Sequence, residues 1–129
     1  MTFQGFVQRV TRSAWTAVGW TVIIFLLMII PKGDFPNQGL FGIPHLDKLV
    51  HVILFGVFVW TWFHVLDRRD DTHSRKLAWL LFGLAVVYGT GMEFVQHYWT
   101  DRDFDNWDIV SDTAGAAIAA GVASRKGKK

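Results

Sequence analysis

The sequence predicts an all-α fold, a bundle of four membrane-spanning helices with both termini cytoplasmic. Three observations predict it. Long apolar stretches recur along the chain, basic residues alternate with them in a regular way, and tryptophans sit near their ends. The chain has 129 residues, of which 51% are hydrophobic and only 19% charged, against about a quarter charged in an ordinary soluble domain. Its length suits one domain, residues 1–129, and the composition argues against a soluble enzyme.

A bilayer core about 30 Å thick takes roughly 20 mostly apolar helical residues to cross. Residues 13–30 carry no charge and form the first expected span. They follow Arg9 and Arg12 as a signal peptide would, but the stretch is long and ends at Pro31-Lys32-Gly33 without a small-residue cleavage pattern. It reads as a retained span. Residues 49–66 carry only His51 and His64, and residues 77–95 carry only Glu93. The latter run is too long for a buried strand, so a helix that satisfies its own backbone in lipid is expected. Residues 109–123 are shorter, rich in Ala and Gly, and interrupted by Asp112. They form the fourth and least apolar span.

The basic residues test this division independently of hydropathy. Arg9 and Arg12 precede the first span, Arg68, Arg69, Arg75 and Lys76 separate the second from the third, and Arg125, Lys126, Lys128 and Lys129 follow the fourth. These ten share one side in a four-span chain, while the other connections hold only Lys32, Lys48 and Arg102. The positive-inside rule then places both termini and the middle connection in the cytoplasm. Trp15, Trp79, Trp99 and Trp107 fall near span ends, where an amphipathic indole favours the head-group region. Ser111, Gly115, Ala119 and Ala123 form a stripe of small residues along the fourth span, suited to close helix packing.

With no cysteine, disulfides, thiolate metal sites and cysteine nucleophiles are excluded. There is no internal repeat and no pattern for nucleic-acid binding. No cofactor motif is present, and metal chemistry through His45, Asp47, His51, Glu93 or His97 would lack any short ligand motif.

The remaining ionisable residues gather on the outer side, where a charge near hydrocarbon is costly unless paired or hydrated. His45, Asp47, Lys48 and His51 open the second span. Glu93, Gln96 and His97 close the third, and Arg102, Asp105, Asp108 and Asp112 lead into the fourth. Residues three or four apart share a helix face, so three helices can direct these groups towards one outward pocket. The candidate ligand-binding residues are Asp47, Lys48, His51, Glu93, Gln96, Arg102, Asp108 and Asp112, and the candidate catalytic residues are Asp47, His51 and Glu93. Each has a plainer alternative role. Asp108 and Asp112 suit a helix N-terminus, Lys48 can snorkel to head groups, and His97 and His64 suit the interface.

Three tracts in this order resemble the VanZ-like family of small integral membrane proteins, over roughly residues 44–121. They are Asp47-Lys48-Leu49-Val50-His51 with Phe55, then Glu93-Phe94-Val95-Gln96, then Arg102 through Asp108 and Asp112 to Gly115. Asp112 stands where many relatives carry Asn, and His97 and the aspartates from Asp101 to Asp105 are particular to this chain. The resemblance implies work at the outer face of a bacterial cell envelope, since the founding member is associated with resistance to teicoplanin, an acylated glycopeptide. It implies no reaction.

Three functions from different classes fit these residues. The first is recognition or shielding of a lipid-linked or acylated molecule at the outer leaflet, with Lys48 and Arg102 meeting phosphate or carboxylate. The second is an intramembrane hydrolase or transferase acting on an envelope lipid, with Asp47 or Glu93 as base and His51 as its partner. The third is a structural bundle whose polar network locks helices while a partner membrane protein carries the function. Membrane lipids are partners in all three.

Overall fold

A computed structural model describes residues 2–11, 13–29, 46–67, 71–99 and 106–126. Among these, every regular element is a helix: α1 (Phe3–Thr11), α2 (Ala14–Met28), α3 (Leu46–Leu66), α4 (Asp71–Trp99) and α5 (Asn106–Lys126). The four expected spans correspond to α2 through α5, and α1 is an element the sequence reading treated only as a basic flank. It starts where the Thr2 hydroxyl accepts a hydrogen bond from the Gly5 amide at 3.0 Å, an N-cap that satisfies one of the free donors of the first turn.

Interhelical contacts fix the directions of the helices. Thr21 meets Tyr88, and Met28 meets Gln96, so α2 and α4 run parallel. Lys48 meets Asp108, His51 meets Asp112, and Val52 and Gly56 meet Gly115, so α3 and α5 also run parallel. Helices that alternate in direction place the starts of α3 and α5 and the ends of α2 and α4 together, here called the polar end. The opposite, basic end carries exposed Arg9, Arg75, Lys76 and Arg125.

Two helices, over Lys48–Leu66 and Thr72–Trp99, are long and apolar enough to cross a membrane, and α1 with α2 meets the same criterion as a pair bent by 64°. α4 begins earlier than the apolar run that announced it, taking in Arg75 and Lys76 in its first turns. Trp79 and Trp99 are both exposed on α4; their separation of twenty residues corresponds to about 30 Å of helix, matching the bilayer core.

α5 is less apolar because its first two turns carry Asn106, Asp108, Ser111 and Asp112. Its inward face is built from small residues, with Ala116, Ala119, Ala120 and Ala123 buried in the core. α5 packs most extensively against α3 and α4. The large apolar side chains Leu49, Ile53, Leu80, Leu84, Val87, Ile118 and Val122 point outward instead. Small residues where α5 meets its neighbours, with large apolar side chains turned outward, is an arrangement expected when lipid is the solvent, whereas in water such a surface would mark an association site. Away from α5 the core is filled by larger side chains, among them Ile24, Leu54, Phe55, Phe58, Phe63 and Leu81.

Candidate functional site

The site is built where α3 and α5 approach most closely. An added Cβ at Gly115 would collide with the carbonyl oxygen of Val52, and one at Gly56 would lie 3.3 Å from the Gly115 carbonyl. These two glycines let the backbones touch. One turn towards the polar end, the same helix faces carry charged residues rather than glycine. Lys48 and His51 of α3 are thereby set against Asp108 and Asp112 of α5.

The Lys48 ammonium donates to Asp108 Oδ1 in an ion pair. His51 Nδ1 donates to Asp112 Oδ1 at 2.7 Å, and its Nε2 faces Asp108 Oδ2 at 3.8 Å. His51 is therefore bracketed by two carboxylates and held in orientation by the first of them. Both aspartates lie in the first two turns of α5, where the helix dipole favours negative charge. Asp112 is 1% exposed, and its Oδ2 has no hydrogen-bond partner among the described residues. That oxygen lies 2.6 Å from where a Cβ of Gly89 would stand, so α4 admits the carboxylate only because residue 89 has no side chain. Within the set, Lys48 is the most open, with 21% of its side chain exposed against 7% for Asp108.

α4 contributes differently from what residue spacing alone suggested. Glu93 and Gln96 are both 1% exposed, and Glu93 lies one turn from Gly89, towards the polar end. Gln96 Nε2 donates to the Met28 carbonyl at 2.8 Å. It binds a carbonyl in the last turn of α2, tying α4 to α2. His97 is exposed and packs its ring against Tyr98, with centroids 5.0 Å apart, outside the cluster. His64, at the basic end, bonds through Nδ1 to the Trp60 carbonyl one turn back at 2.8 Å.

Of the eight proposed binding residues, four converge: Lys48, His51, Asp108 and Asp112. Asp47 belongs to α3, but its side chain and the whole of Arg102 lie outside the described residues, as do His45 and Asp105. Among the described residues no group of three His, Asp or Glu side chains is arranged to hold a metal ion.

A second polar set was not anticipated from the sequence. Trp62 Nε1 donates to Thr21 Oγ1 at 2.9 Å, and that hydroxyl donates to the Ala17 carbonyl at 2.9 Å. Tyr88 OH donates to the Thr21 carbonyl at 2.7 Å, and Trp20 Nε1 to the Leu54 carbonyl at 2.9 Å. The Tyr88 ring packs edge-on against Phe55 and Phe58 at 5.8 and 5.6 Å. The alternation of apolar and aromatic residues concealed these donors, because an indole or phenol inside a span reads as bulk until its partner is known.

Comparison with known proteins agrees with the three tracts that suggested a family. A protein of the fission yeast Schizosaccharomyces pombe, itself described as uncharacterized, is 33% identical over 98 residues, covering 74% of this chain and 57% of its own length. This chain thus spans little more than half of that relative. No solved structure matches. The VanZ/LLP1 family profile matches residues 2–126, nearly the whole chain, so this protein belongs to the VanZ/LLP1 family.

Proposed function

We propose that this protein is a four-span membrane protein that holds the polar head group of a membrane lipid, or of a lipid-linked or acylated molecule, at its polar end. The observation that carries the reading is the Lys48, Asp108, His51 and Asp112 set, in which a buried carboxylate oxygen of Asp112 accepts no hydrogen bond among the described residues. An unused acceptor in a low-dielectric setting is costly, which is more than a purely structural tie between α3 and α5 requires. Lys48, the most open member, supplies the charge for a phosphate or carboxylate.

The alternating helix directions support four spans, with α5 crossing among its neighbours rather than facing lipid alone. Basic residues at the opposite end support cytoplasmic termini and an extracytoplasmic polar end. A relative in a fungus separates the fold from any purely bacterial setting, so a role against glycopeptides rests on the VanZ resemblance and not on family membership alone.

One observation favours a second reading. A histidine oriented by an aspartate is the arrangement that general-base chemistry uses, and His51 is so held by Asp112. A single experiment reads both. Protein purified in mild detergent is extracted and its lipids are weighed by mass spectrometry, for wild type and Lys48→Ala. Head-group binding predicts one lipid class retained unaltered by wild type and reduced at least fivefold in the variant. A lipid that changes mass on incubation with the protein points to catalysis instead, and equal lipid profiles for the two proteins would overturn the head-group reading.

A further inference from the structure

We propose that α1 lies in the head-group region of an anionic leaflet at the basic end, as an in-plane anchor for the first span. The inference rests on the chain being a membrane protein, but not on any ligand at the polar end. Phe3, Phe6, Val7 and Val10 recur at i, i+3, i+4 and i+7, which puts them along one stripe of the helix, with Gln4, Gln8 and Arg9 outside it. All four stripe residues are exposed, Phe3 by 81% and Phe6 by 55%. Gly5, the least exposed described residue of α1, lies on the side opposite the stripe. The helix borders α2 and α3, and the stripe is not buried against them, with Val7 and Val10 still 39% and 38% exposed.

Two features identify what covers that stripe. First, α1 is bent by 64° from α2, so with α2 crossing the bilayer α1 lies far closer to the membrane plane than to its normal. A short helix with an apolar stripe and a basic flank in that orientation matches interfacial helices. Second, the surroundings are positive: Arg9, Arg75, Lys76 and Arg125 are exposed at this end of the bundle. Such a concentration complements anionic head groups within a Debye length of the surface. Trp15, exposed by 85% at the start of α2, sits where an indole would mark the same interface.

The chain contains no cysteine, so each introduced thiol takes one nitroxide label. Labels at Phe3→Cys, Phe6→Cys, Val7→Cys, Val10→Cys, Gln4→Cys and Gln8→Cys in the full chain are compared in vesicles of phosphatidylcholine with and without phosphatidylglycerol. The readout is the ratio of collision with oxygen to collision with a water-soluble nickel chelate. The expected result is a ratio several-fold higher at positions 3, 6, 7 and 10 than at 4 and 8, with the contrast at least twofold larger when phosphatidylglycerol is present. Low nickel collision at all six positions would make α1 part of a broken span, and high nickel collision at all six would leave it in water; either overturns the proposal. A contrast equal in the two vesicle types would overturn the anionic assignment. Six positions keep the periodicity readable if one variant fails to fold, which gel filtration of each labelled protein would reveal.

Discussion

Two polar regions inside this apolar bundle solve different problems. Around Thr21, two indoles, a phenol and a hydroxyl donate to Leu54, Thr21 and Ala17 acceptors, all of them neutral and all of them used. Around His51 the groups are ionisable, and one buried oxygen of Asp112 is left without a donor among the described residues. A neutral, saturated network is sufficient to hold α2 against α3 and α4. A charged one with spare capacity costs more desolvation than a purely structural tie requires. The contrast teaches that polarity within a membrane bundle is not by itself functional, and that unspent hydrogen-bonding capacity is the better sign.

The comparison is broken most severely by separating α3 from α5. Gly115→Leu would force side-chain atoms into the Val52 carbonyl, and a loss of several kcal/mol, on the order of 4 or more, is expected to leave little folded protein in gel filtration. Tyr88→Phe sharpens the comparison at the neutral site. Loss of its bond to the Thr21 carbonyl is expected to cost about 1 kcal/mol, read as a lower unfolding midpoint, with retained lipid unchanged. The smallest effect belongs to Gly91→Ala, where an added Cβ meets nothing within 4 Å; its stability should stay level or rise by up to about 1 kcal/mol. An equal loss at Gly91 and Gly115 would show that helix propensity, rather than backbone approach, governs these glycines.

Much of this was legible in the sequence because spacing and charge are local signals. Lys48 and His51 share a face at i and i+3, Asp108 and Asp112 at i and i+4, and the alternation of connections brings both pairs to one end. Other features were hidden because they depend on a partner that sequence does not name. Gln96 bonds to the Met28 carbonyl, and pairing charged groups with charged groups gives no hint of a backbone acceptor. Thr21 looks like an isolated hydroxyl until Trp62 and Tyr88 are brought to it. α1 was missed because nine residues are few for a periodic signal, and because Arg9 and Arg12 were attributed to topology. The Gly115 stripe was visible as a packing surface, but only the structure shows that the backbone it meets is Val52.

The most direct test is thermal unfolding of Asp112→Asn beside wild type and Tyr88→Phe, all in one detergent. Asparagine keeps the oxygen that accepts from His51 Nδ1 while removing the buried negative charge. If the charged centre is held for a ligand at a cost to stability, Asp112→Asn will unfold at the same midpoint as wild type or a higher one, while Tyr88→Phe unfolds at a lower one. A loss on Asp112→Asn of several kcal/mol, in the range of about 3–5 expected when a buried ion pair is broken, would contradict the account and make the centre scaffold.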